Sequence, residues 1–136
     1  MARRDEPPSL PSDAQLEVLD IVWDLGEPTV GEVWQAFSTR RPVARNTVLT
    51  LMTRLEGKGW LRRRPEGNAF RFVAAVPRQT ALRQLARRLV DTAFRGSTEG
   101  LVMSLLDGGD LSTGEAERIR AMLDDARRKS KGRSKS

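Results

Sequence analysis

The chain has 136 residues, 38% hydrophobic and 31% charged, with no Cys and no His. That excludes disulfides, thiol catalysis, zinc-finger sites and imidazole acid–base chemistry, and leaves room for one domain or one small domain with an appendage. A net charge of +6 and an isoelectric point near 10.9 point to a polyanionic partner.

Residues 1–11, MARRDEPPSLP, are polar and proline-containing and are expected to form a flexible arm. They lack the apolar core of a secretory signal, and no later run approaches the ~20 apolar residues of a membrane helix. A cytoplasmic protein without membrane insertion is expected. Ser12 opens a first helix, with Gln15 three residues on as its capping-box partner. Leu16, Leu19, Val22 and Trp23 mark one apolar face, widened by Val18, Ile21 and Leu25 before Gly26 ends the helix. Thr29 and Glu32 repeat the capping box, and Val30, Val33, Trp34 and Phe37 form the stripe of a second helix.

The third helix runs from Arg45 to about Glu56, with Val48, Leu51, Met52 and Leu55 at helical spacing. It stops at Gly57-Lys58-Gly59, where Lys58 suits the negative end of the helix dipole. The apolar period then shortens. Trp60 to Arg64 and Ala69 to Val73 read as two strands around the turn Pro65-Glu66-Gly67-Asn68. Beyond Pro77 the pattern is helical again, with a stripe of Leu82, Leu85, Ala86, Leu89 and Ala93. A short helix near Glu99–Asp107 carries Leu101, Val102, Leu105 and Leu106. A last helix from Ser112 carries Ala116, Ile119, Leu123 and Ala126. The end, RRKSKGRSKS, is basic and low in complexity.

This order predicts a mainly α fold with a small β wing. A winged helix-turn-helix DNA-binding domain occupies 12–76, a helical dimerisation domain 77–126, and a basic disordered tail 127–136. Three short helices with exposed leucine stripes call for a partner surface. The expected dimer contacts are Leu82, Leu85, Leu89, Leu101, Leu105, Leu106, Ile119 and Leu123.

Charge is sorted along the chain. Residues 12–39 carry six acidic residues and no basic ones, and residues 40–76 carry nine basic and two acidic. At 100° per residue, Asn46, Thr50 and Thr53 lie opposite the apolar side of the third helix, with Thr47 and Arg54 on one flank. This polar face suits a major groove about 12 Å wide. Asn46 can pair with adenine, and Thr47 and Thr50 can bond a base or phosphate. Arg45 and Arg54 suit phosphates, and Arg45 equally suits a guanine. Strand alternation places Arg62, Arg64 and Arg71 as wing contacts and leaves Arg63 undecided. Trp23, Trp34, Trp60, Phe37, Phe70 and Phe72 fall on apolar faces and read as core. No carboxylate pair is joined by His, Cys, Tyr or a phosphate loop. No catalytic site, metal site or cofactor is therefore expected. Two other readings stay open: a ligand-responsive regulator with a pocket in its C-terminal helices, and a winged-helix protein–protein module docking through its acidic first helix.

The segments LPSDAQLEVLDIVWDLGEPTVGEVWQAF and NTVLTLMTRLEGKGWLRRRPEGNAFRF resemble the BlaI/MecI (penicillinase repressor) family of bacterial transcriptional regulators. The resemblance runs from Leu10 to about Val76, and the C-terminal part is similar in length and layout. It implies a homodimeric repressor on a dyad of double-stranded operator DNA, with C-terminal helices swapped around each other. In several members a membrane-bound sensor protease for β-lactams triggers cleavage of an Asn-Phe bond in the C-terminal domain. Here Ser104-Leu105 stands at the similar position. A copper-responsive branch uses a C-terminal cysteine cluster, which this chain lacks.

Overall fold

The computed structural model describes residues 10–134. The expected flexible arm thus lies outside the described residues except for Leu10 and Pro11, of which Pro11 is buried. The elements are α1 (Asp13–Leu25), α2 (Val30–Ser38), α3 (Arg45–Gly57), β1 (Leu61–Glu66), β2 (Ala69–Ala74), α4 (Arg78–Ala93), α5 (Thr98–Asp107) and α6 (Thr113–Ser134). They form two compact units, and the division falls inside α4, after Arg88.

In the first unit both capping boxes close. Ser12 Oγ accepts from the Gln15 amide at 3.2 Å, and the Ser12 amide donates to Gln15 Oε1 at 3.0 Å. Thr29 and Glu32 do the same at 3.2 and 3.1 Å. Each box satisfies two amides that a helix start leaves open. Ser12→Ala should therefore lower stability by about 1 kcal/mol, read as a shift of the urea midpoint at constant slope.

The caps aim three apolar faces at one core. Val18, Leu19, Ile21 and Val22 of α1 meet Val33 and Phe37 of α2, and Val48, Met52 and Leu55 of α3. Trp60, Leu61 and Phe72 close it from the hairpin, and Ala81 closes it from α4. Leu85 packs on this core, so the first turns of α4 belong to this unit. Leu25, expected on the buried face, is 49% exposed at the last position of α1. Trp23 and Trp34 are half-buried, and their ring N–H groups reach the carbonyls of Val76 (3.0 Å) and Val43 (2.8 Å).

The passage from α3 to β1 is a Schellman turn. The Gly59 amide donates to Glu56 O at 3.1 Å and the Trp60 amide to Leu55 O at 2.9 Å. Gly59 has φ of 93°, which a Cβ would disfavour. The Lys58 side chain does not cap this helix end, correcting the expectation. Its Nζ bonds Gln15 Oε1 (2.8 Å) and Leu10 O (3.1 Å), because α1 begins beside the end of α3.

β1 and β2 pair antiparallel, with Arg63 opposite Phe72, Arg64 opposite Arg71 and Pro65 opposite Phe70. Gly67, with φ of 59°, opens the two-residue turn at the tip. The outer edge of β2 is tied at one point, where the Phe72 amide donates to Pro28 O at 2.8 Å.

In the second unit, Ser97 and Ser112 accept from the amides of Gly100 (2.9 Å) and Glu115 (3.1 Å), starting α5 and α6. Helix α6 continues to Ser134, through most of the segment expected to be a basic tail; residues 135–136 lie outside the described residues. Arg and Lys are good helix formers and favour a helix C-terminus, and Lys129 pairs with Asp125 one turn back at 3.2 Å.

Candidate nucleic-acid interface

Helix α3 divides as its spacing requires. Val48, Met52 and Leu55 are fully buried, and Asn46, Thr47, Thr50, Thr53 and Arg54 are exposed. Arg45 is exposed at its first turn. A surface cleft of about 470 Å³ is lined by Val30, Arg45, Asn46 and Leu49, between the starts of α2 and α3. Thr50 donates its hydroxyl proton to the Asn46 carbonyl at 3.0 Å. Its oxygen thus faces outward as an acceptor, and its rotamer is held.

The wing arginines are not equivalent. Arg63 turns onto α3, where Nε bonds both carboxylate oxygens of Glu56 (2.9 and 3.0 Å) and Nη2 reaches Thr53 Oγ1 at 3.4 Å. Its guanidinium carbon lies 5.5 Å from the Phe70 ring centre and 5.3 Å from that of Phe72. Arg63 is thus held between Glu56 and the two phenyl rings. Phe72 is buried, but Phe70, expected in the core, is 48% exposed near the tip. It sits beyond the reach of α1 and α3, with Arg63 against its ring.

Arg64 and Arg71 face the other way, onto the α1–α2 turn. Arg64 Nε lies 3.1 Å from Glu27 Oε1 and Nη2 lies 3.4 Å from Oε2. Arg71 Nη1 donates to the Glu27 carbonyl (2.8 Å) and Glu32 Oε1 (3.3 Å), and its Nε pairs with Glu66. These carboxylates offset the repulsion of two arginines placed directly across the strands. Bonds from the Thr29 amide and hydroxyl, and then the charge of Arg71, hold the Glu32 carboxyl below the ordinary carboxylate range. Glu66 and then Glu32 push the Arg71 guanidinium still higher.

The acidic face of α1 is compensated too. Arg40 pairs with Asp20 (3.3 Å), Arg41 with Glu17 (3.1 Å), and Arg78 with Asp20 and Asp24 (2.9 and 2.8 Å). Among the basic side chains of the described residues 40–76, those of Arg45, Arg54 and Arg62 alone have neither a carboxylate nor another hydrogen-bond partner. All three are exposed, two on α3 and one where the wing leaves the core. Pairing of this kind joins residues far apart in the chain, so charge counting alone does not reveal it.

Of the residues expected at a dimer contact, Leu82, Leu89, Leu105, Leu106 and Leu123 are exposed, Leu101 and Ile119 are half-buried, and Leu85 packs on the first unit's core. Ser104 is exposed within α5. Among the described residues no group of acidic side chains is placed to hold a metal ion, and no helix is long and apolar enough to cross a membrane.

Residues 11–125 match the family model described as penicillinase repressor. The methicillin resistance regulatory protein MecI of Mammaliicoccus sciuri is 25% identical over 112 residues, covering 82% of this chain and 91% of that one. The penicillinase repressor of Bacillus licheniformis is 23% identical over 120 residues, covering 88% and 94%. A solved structure of monomeric B. licheniformis BlaI, in complex with the blaP half-operator, is 28% identical over 55% of this chain and 90% of that one, with a TM-score of 0.48. With a family match across 11–125 on a winged helix-turn-helix of this layout, the chain belongs to the penicillinase repressor family.

Proposed function

We propose that the chain binds a dyad operator as a homodimer and represses transcription by excluding polymerase from the DNA. It is a repressor by family and not an enzyme. One observation carries the DNA geometry: the exposed face of α3 bears Asn46, Thr47 and Thr50, and the three uncompensated arginines flank it. The helix enters the major groove and reads bases through these three neutral side chains. Arg45, Arg54 and Arg62 neutralise phosphates from the outset. Arg64 and Arg71 join them by exchanging carboxylate for phosphate.

The second unit supports dimerisation. Its exposed large apolar side chains range from 40% at Leu105 to 66% at Met122, a surface that a second copy would cover. Two recognition helices about one helical turn apart, roughly 34 Å, would then meet the two half-sites. Relief of repression belongs to this reading as proteolysis near Ser104-Leu105 by a membrane sensor protease. Both residues are exposed but helical, so α5 must open locally before a cut.

Selection of duplexes from a randomised pool by the full chain tests the reading. Dyads should emerge, and sedimentation should show a dimer; monomeric half-sites alone would sink the dimer. Retention of no DNA even at low salt would favour a protein-docking role instead. Arg62→Ala should weaken all duplexes alike and reduce the slope of log affinity against log salt by about 0.9. An unchanged slope removes Arg62 from the contact.

A further inference from the structure

We infer that Glu27 sharpens discrimination between the operator and other duplex DNA, by holding two wing arginines off the phosphate backbone. The inference rests on the proposed DNA binding. Phosphates line every duplex, so an arginine free to reach one strengthens all sequences equally. Base reading by α3 works only on the right sequence. Restraining wing cations therefore lowers the background more than it lowers the specific complex.

Glu27 is placed for this restraint. Its carboxylate takes Arg64 through two nitrogens, at 3.1 and 3.4 Å, and its backbone carbonyl takes Arg71 at 2.8 Å. The residue is held firmly in front of them. Gly26 before it sits at φ of 89°, and Pro28 after it is hydrogen-bonded through its carbonyl to Phe72 of β2. Glu32 and Glu66 add two further carboxylates around Arg71. Arg45, Arg54 and Arg62 have no such guard. The restraint by Glu27 thus falls on Arg64 and Arg71 alone.

Glu27→Gln tests it, because it keeps the turn, the side-chain length and the backbone carbonyl but removes the charge. Full-length protein would be titrated with a random-sequence duplex and with a duplex selected by the wild type, over a salt series. Affinity for the random duplex should rise roughly eightfold at ~0.1 M salt, the factor one added phosphate contact brings against a 1 M reference. Affinity for the selected duplex should rise less, and the salt slope on random DNA should steepen by about 0.9. Arg64→Ala should weaken random-duplex binding more in the Glu27→Gln background than in the wild type, and abolish the gain that Glu27→Gln brings. Unchanged or weaker random-duplex binding by Glu27→Gln would overturn the role of Glu27. So would an Arg64→Ala loss equal in both backgrounds, which is what a purely structural ion pair gives. A wild-type chain that binds no duplex at low salt overturns the DNA reading itself, and a binding wild type with an unaltered variant overturns only this inference.

Discussion

Replacing Trp60 by alanine should destabilise the first unit by about 3–5 kcal/mol, a large share of the roughly 5–15 kcal/mol that holds a domain together. The indole is 1% exposed and belongs to the same core as Leu55, Leu61 and Phe72. Position matters as much as area. Trp60 is the residue on which α3 ends and the wing begins. Its amide closes the Schellman turn on Leu55 O, and its carbonyl accepts from the Ala75 amide at 2.9 Å. Emptying the pocket leaves a cavity at the joint between the two elements proposed to meet DNA. Urea unfolding should show the loss, and DNA affinity should fall under conditions where circular dichroism still reports folded helix. Trp60→Phe should recover much of both. A loss below about 1 kcal/mol would mean that the surrounding side chains collapse into the space, and that the joint does not depend on the indole.

The second large effect is expected at Asn46. Removal of its carboxamide should reduce discrimination at one base pair by about 1–3 kcal/mol, with little change at the others. The side chain is exposed, beside the cleft that Arg45 and Leu49 share. Its backbone carbonyl stays bonded to Thr50 whatever side chain is present, so Asn46→Ala leaves the helix start intact. Competition between the selected duplex and single-base variants of it gives the answer directly. Uniform weakening at every position would remove Asn46 from base reading and make it a backbone contact.

The bond to Thr50 narrows the base-reading role proposed for that residue. Its proton is committed to the backbone, so it can accept from adenine N6 or cytosine N4 but has no proton for an acceptor edge.

Local features of this fold were legible in the sequence. Ser12 with Gln15 and Thr29 with Glu32 are three residues apart, and the bonds between them form as that spacing requires. The alternation that separates Arg62 and Arg64 from Leu61 is a property of any strand. Pairing across the chain was not legible. Arg64 meets Glu27 from 37 residues away, and Arg71 meets the same residue from 44 away. Lys58 reaches Gln15 across 43 positions, where nearness to a helix end suggested a cap. Phe70 shows the limit of face assignment. It shares the side of Phe72, but the core does not extend to the tip of the hairpin. The run of α6 into the basic end, with Asp125 one turn before Lys129, is likewise a pairing that composition does not show.

The hairpin's free side has a further consequence. β2 is engaged on both sides, by β1 and by the Pro28 carbonyl, but among the described residues β1 has no strand beyond it. Such an edge is a template for another chain to add a strand. Here it is a row of three arginines followed by Pro65, which has no amide proton to offer. Charge and proline together make an incoming strand repel or fail to bond. Neutralising Arg62, Arg63 and Arg64 at once would therefore remove a safeguard against sheet-to-sheet aggregation, and the solubility of such a variant would fall for a reason unrelated to DNA.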